Sequence, residues 1–194
     1  MLRAIVLIDH QNFEIAVRDL YHGNAPWLDY TKLPQEVVKT VSGCQLIKTY
    51  MFVPKPDEFL SSIDSYAKSY KWAKGLNSKP FFEVIDGRFL AYPVSRDKQM
   101  DKDDPTTFNV REKGTDINMA LRALKDAFFN AFDIAFFMSA DSDYIGIYDM
   151  LRNMGKLTAV VAVKGQNIRP IRESVDTTVL LDKNFFSNCL RDRE

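Results

Sequence analysis

Four aspartates stand where an alternating strand–helix chain could gather them: Asp9, Asp116, Asp141 and Asp143. Asp9 closes an apolar run at residues 4–8. Asp141 and Asp143 follow a second run at residues 132–139, and Asp116 opens a helical pattern just after Gly114. Open α/β sheets bind ligands beyond the carboxyl ends of their strands. Three chain segments can therefore deliver four acids to one rim. Clustered carboxylates oppose one another's ionisation, and a divalent cation removes that conflict. Oxygen donors without Cys or His favour Mg²⁺ or Mn²⁺ over zinc. Such ions bind phosphates and stabilise the charge of an in-line displacement, so phosphodiester hydrolysis is the chemistry this set would serve.

Each acid also has a structural use. Asp9, at a strand–helix junction, can cap the helix. Asp116 lies in a first helical turn, where the dipole favours negative charge. The pair Asp141 and Asp143 is harder to account for in this way. Turn chemistry rarely needs two acids on the same side of an extended segment.

The elements that must position these residues follow from periodicity. Residues 4–8 form a first buried strand, and Phe13, Ala16, Val17 and Leu20 have helical spacing before Gly23. Thr31 is a candidate cap for a second helix carrying Leu33, Val37 and Val41, and residues 45–53 form a second strand. After Pro54 and Pro56, Asp57 can cap one helix running to Gly75. Residues 81–85 read as a third strand, paired through an Asp86-Gly87 turn with residues 89–94. Residues 95–113 mix four Asp with Arg and Lys and show no hydrophobic period, as in a charged surface loop or insertion. Helices at 115–128 and 144–153, strands at 132–139, 157–163 and 177–181, a short helix at 168–174 and a terminal helix complete an alternating pattern. It predicts an α/β fold, with a mostly parallel sheet covered on both faces. Residues 1–194 are read as a single domain.

Composition narrows the function. With 26 basic and 26 acidic residues, the net charge is zero. This argues against binding nucleic acid through a broad basic surface but permits a local site. No apolar run approaches the ~18 residues of a membrane span, and no secretory signal is read. Cys44 and Cys189 offer no disulfide framework, so a reducing, cytoplasmic setting is expected.

The motifs around the acids are Asp9-His10-Gln11-Asn12, Lys113-Gly114-Thr115-Asp116 and Ser139-Ala140-Asp141-Ser142-Asp143. In this order and spacing, the chain resembles the NYN branch of the PIN-like nucleases over essentially its whole length. The resemblance implies a Rossmann-like three-layer α/β/α sandwich with strand order 3-2-1-4-5, and Mg²⁺- or Mn²⁺-dependent cleavage of RNA, single-stranded or structured. It further implies Asp9, Asp116 and Asp141 as metal ligands, with Asp143 as a fourth catalytic acid or an orienter of water. Asn12 would hold Asp9 or a water, and Ser139 and Ser142 would bond near the site. Lys113, before a helix N-terminus, could receive a phosphate. One departure is Ala140 where the family carries Gly; a positive φ there would strain Ala.

Other chemistries fit less well. An aspartate-nucleophile phosphatase needs an Asp two residues after the first, and position 11 is Gln. A dinucleotide oxidoreductase needs a glycine-rich turn, and residues 9–13 contain no Gly. The alternative of another class is a regulatory module of the same fold that binds RNA or a protein without cutting. A protein partner or a second copy of the chain could then complete recognition.

Overall fold

The computed structural model describes residues 1–191. The single unit expected over 1–194 includes residues 192–194, which lie outside the described residues. The central strand is β1 (Leu2–Asp9), hydrogen-bonded in parallel to β2 (Cys44–Pro56) on one side and to β5 (Ile134–Met138) on the other. Because both faces are covered, it is apolar at successive positions rather than alternately. Ala4, Val6 and Ile8 face a cluster with Phe13 and Val17 of α1 (His10–Leu20) and Leu33 and Val37 of α2 (Leu33–Lys39). Ile5 and Leu7 face the opposite cluster, with Met119 and Ala123 of α5 (Thr115–Phe128) and Leu151 of α6 (Ile145–Asn153). Helices therefore sandwich the sheet.

Seven strands form the sheet in the order β4-β3-β2-β1-β5-β6-β7, where β3 is Phe82–Pro93, β4 Phe108–Lys113, β6 Leu157–Val163 and β7 Thr177–Leu181. The expected order 3-2-1-4-5 is thus corrected. β4 adds an antiparallel edge beside β3, and β7 adds a further parallel strand beside β6.

β4 also corrects the reading of residues 95–113 as wholly a surface loop. Phe108, Val110 and Glu112 alternate toward the more buried side while Asn109, Arg111 and Lys113 are exposed. An acid at the third inward position hides the period. Nor does Asp86-Gly87 make a turn: β3 runs straight through it, pairing Val53 with Asp86 and Pro54 with Gly87. Gly87 is required by close approach. A Cβ there would lie 2.2 Å from Thr115 Oγ1, 3.2 Å from Thr115 N and 3.3 Å from Lys113 O.

β2 extends past its expected end to Pro56. β1 stops with Asp9 opposite Phe52, so Pro54 and Pro56 occupy a stretch with a neighbour only on the β3 side, where a missing N–H is tolerated. The helix expected from Asp57 to Gly75 is two, α3 (Glu58–Ser61), which Asp57 caps, and α4 (Asp64–Gly75). Thr31 is not the cap of α2; its N–H and hydroxyl both donate to Asp29. The residues expected as a short helix at 168–174 form turns, and α7 (Lys183–Ser187) closes the described fold. No helix among the described residues is long and apolar enough to cross a membrane.

Candidate functional site

The carboxyl ends of β1 and β5, neighbours in the sheet, carry the two anchoring motifs. Asp9 ends β1 in extended conformation and caps α1, its Oδ1 accepting the Asn12 N–H at 3.1 Å. The structural use foreseen for this residue is therefore real, and it leaves a second oxygen. Oδ2 accepts the Ser139 hydroxyl at 3.3 Å, and Ser139 Oγ in turn accepts the Asp141 N–H at 3.3 Å. One buried serine thus ties the first motif to the third.

Asp9 is only 5% exposed. Burial, followed by the charges of Glu112 and Asp116, pushes its carboxyl up to about 7, against the opposing pull of the Asn12 N–H and the Ser139 hydroxyl. No cation is among the groups acting on it.

Asp141 is half-buried and caps a 3-10 turn at Ser142–Tyr144, with its Oδ1 accepting the Asp143 N–H at 2.9 Å. Ser142 and Asp143 are exposed on that turn. Tyr144, buried behind it, donates its hydroxyl to Asp116 Oδ1 at 3.0 Å. Burial and the charges of Asp9, Asp116 and Asp141 together drive this phenol far above its ordinary pKa. Three of the four expected acids therefore act on one hydroxyl, and Asp143 is not among them.

Asp116 is exposed in the first turn of α5, behind Gly114 at φ +80. Lys113 is exposed at the end of β4, next to that N-terminus. Asn12 reaches Asp9 through its backbone N–H, not through its side chain. Asn12 Oδ1 accepts from Gln166 Nε2 at 3.0 Å and from the Ala140 N–H at 3.4 Å. Ala140 is not among the residues with positive φ, so its replacement of Gly carries no backbone strain.

Sequence reasoning missed two residues here. Glu112, inward on β4, has its carboxyl pushed up by burial and by Asp116, opposed by the Thr115 hydroxyl, although its Oε1 forms no well-directed hydrogen bond. The F-x-V-x-E alternation was the available signal. Gln166 accepts the Val163 N–H at 2.8 Å while holding Asn12, which fixes the motif to the end of β6. A lone Gln after a strand carries no sequence signal for that role.

As the side chains stand, no three His, Cys, Asp or Glu among the described residues are close enough to cage an ion.

A crystal structure of a protein of unknown function from Vibrio parahaemolyticus shares this fold, with a TM-score of 0.61 and 18% identity over 95% of each chain. No curated protein matches the chain. The family model described as the NYN domain matches residues 3–182, a span that holds all three acid motifs and, but for Leu2, all seven strands. The chain belongs to the NYN domain family, a family of PIN-like nuclease domains.

Proposed function

We propose that the chain is a divalent-metal-dependent ribonuclease that hydrolyses RNA phosphodiester bonds at the rim formed by Asp9, Asp116 and Asp141. The observation that carries this reading is the Asp9 carboxyl, buried, pushed up to about 7 and acted on by further acids but by no cation. Such an arrangement does not favour folding, and a bound Mg²⁺ or Mn²⁺ would relieve it. The donor set fits a hard cation, being all oxygen.

Asp9, Asp116 and Asp141 would hold the ion, with Glu112 as a further acid beside them. When bound, the ion would neutralise phosphate charge and lower the pKa of a water for attack on phosphorus. Ser139 fixes the orientation of Asp9, while Asn12 and Gln166 brace the start of α1 against the ends of β5 and β6. Asp143, exposed at the rim, would orient the attacking water. Lys113 and the N-terminus of α5 would receive a phosphate, and Ser142 would bond to the strand nearby.

The test is cleavage of labelled single-stranded and structured RNA with Mg²⁺ or Mn²⁺, with chelator, and with Asp141→Asn. Cleavage should need the ion and fall more than about 100-fold in the variant, beyond the loss typical of outer-shell changes. Cleavage that persists in chelator or in the variant sinks the proposal. One observation favours a second reading, an RNA- or protein-binding regulatory module: the acids do not close into a cage. RNA retained but uncut in Mn²⁺ would favour it.

A further inference from the structure

Both tryptophans of the chain, Trp27 and Trp72, line one cavity of about 370 Å³, together with His10, Glu14, Tyr30 and Ser69. This volume falls in the usual range of small-ligand sites. His10, which follows Asp9 directly in the chain, lines the cavity at the start of α1.

One wall is built of packed rings. The His10 and Tyr30 centroids lie 5.6 Å apart, Tyr30 and Trp72 5.2 Å, and His10 and Trp72 5.7 Å. Trp27 is 80% exposed although its backbone is fixed: its carbonyl accepts the Arg191 N–H at 2.9 Å, and Leu28 bridges to Leu190. An indole carried on a fixed backbone and open to solvent at a cavity mouth offers a face that a flat ligand can cover. The Glu14 carboxylate faces the same space. Its Oε1 accepts from Arg18 at 2.9 Å, whereas Oε2 has only His10 Nε2 at 3.8 Å.

Aromatic rings with a carboxylate can take either a flat base or an alkylated cation. The spacing of the wall rings favours the base. At 5.2–5.7 Å the three rings touch each other, so no cation fits between them and they present a wall rather than a cage. We propose that this cavity is a nucleobase subsite selecting guanine, in which the base stacks on the Trp72 wall with Trp27 closing over it. Guanine carries two adjacent N–H donors on its Watson–Crick edge, which suit the two oxygens of the Glu14 carboxylate, Oε2 open and Oε1 shared with the exposed Arg18; Ser69 can donate to the neighbouring carbonyl. The subsite rests on the ribonuclease reading for its role, but its occupancy can be measured without catalysis.

The experiment titrates the four ribonucleoside 5′-monophosphates into the protein in chelator and follows tryptophan fluorescence, whose two sources both line the cavity. Saturable quenching is expected, with guanosine monophosphate binding about tenfold more tightly than the others. Glu14→Gln should bring guanosine monophosphate down to their level. Trp72→Leu should weaken all four about tenfold or more, as loss of a stacked ring does. The proposal is overturned by absent quenching, by equal binding of the four, by a guanine preference that survives Glu14→Gln, or by quenching with tetramethylammonium where guanosine monophosphate gives none. Guanine-selective quenching with RNA left uncut in Mn²⁺ would sink the nuclease reading and leave the subsite standing. Cleavage without quenching would do the reverse.

Discussion

Replacing Asp9 by Asn should make the protein more stable, and increasingly so as pH rises. The folded carboxyl holds its proton to about 7, against 3.8 for an unperturbed Asp. The folded state therefore binds the proton more tightly than the unfolded state. Its advantage is complete below about 4 and is lost as pH rises through about 7. At 1.36 kcal/mol per pKa unit, holding the carboxylate ionised at pH 8 costs at most about 4 kcal/mol, and about 2–3 kcal/mol of that arises between pH 5 and 8. Asn caps a helix as well as Asp does, so the Asn12 N–H keeps its acceptor. In urea unfolding with chelator, Asp9→Asn should be more stable than the wild type at pH 8 by a few kcal/mol, or roughly 5–10 °C in Tm for a chain of this size. The gap should narrow toward pH 5. Saturating Mn²⁺ should raise the wild type by about 2.7 kcal/mol at 100 times its Kd and leave the variant unmoved. Parallel pH profiles, or a variant less stable at pH 8, would refute the claim that burial and neighbouring acids oppose this charge.

Two other substitutions test the framework around the site. Gly87→Ala should destabilise by about 1–3 kcal/mol through overpacking, because the new Cβ meets the stiff side chain of Thr115 at 2.2 Å. Adding Thr115→Ala should recover most of that loss in thermal melts, and strict additivity would show that the Oγ1 contact is not the cause. Tyr144→Phe should change stability by no more than about 1.5 kcal/mol, since Asp116 is exposed and can rehydrate. It should also lower the Mn²⁺ concentration needed for thermal stabilisation, because Asp116 Oδ1 no longer accepts the phenol. A higher requirement would mean that the hydroxyl supports the ion rather than competing with it.

What the chain discloses by itself follows physical lines. Strands covered on both faces are continuous apolar runs, so β1, β5 and β6 stand out in the sequence with an acid or polar motif at their ends. α1, α5 and α6 show regular helical spacing because each buries one face and leaves the other in water. β4 was illegible because its inward residues are Phe108, Val110 and Glu112, and the acid that gives it a place beside the site breaks its period. Conflicts between local pattern and fold concentrate at such places. The register of β3 through Gly87 depends on Thr115, 28 positions away, which no local turn rule can see. Tyr144, directly after the acid pair, could by its position stack a base, though a core or rim tyrosine is the commoner case. It is core, and its hydroxyl reaches the acids only because α5 lies over the same face.

The double duty of Asp9 shapes how sequences like this one can change. Its two oxygens serve the start of a helix and the acid rim together, so most substitutions at position 9 would injure folding along with any chemistry. Asn is an exception, reachable from either Asp codon by a single base change, and it would keep the cap while discarding the charge. Descendants that give up cutting but keep the fold have an easy path through that residue. An Asn at this strand end would mark the binding-only branch of such a lineage.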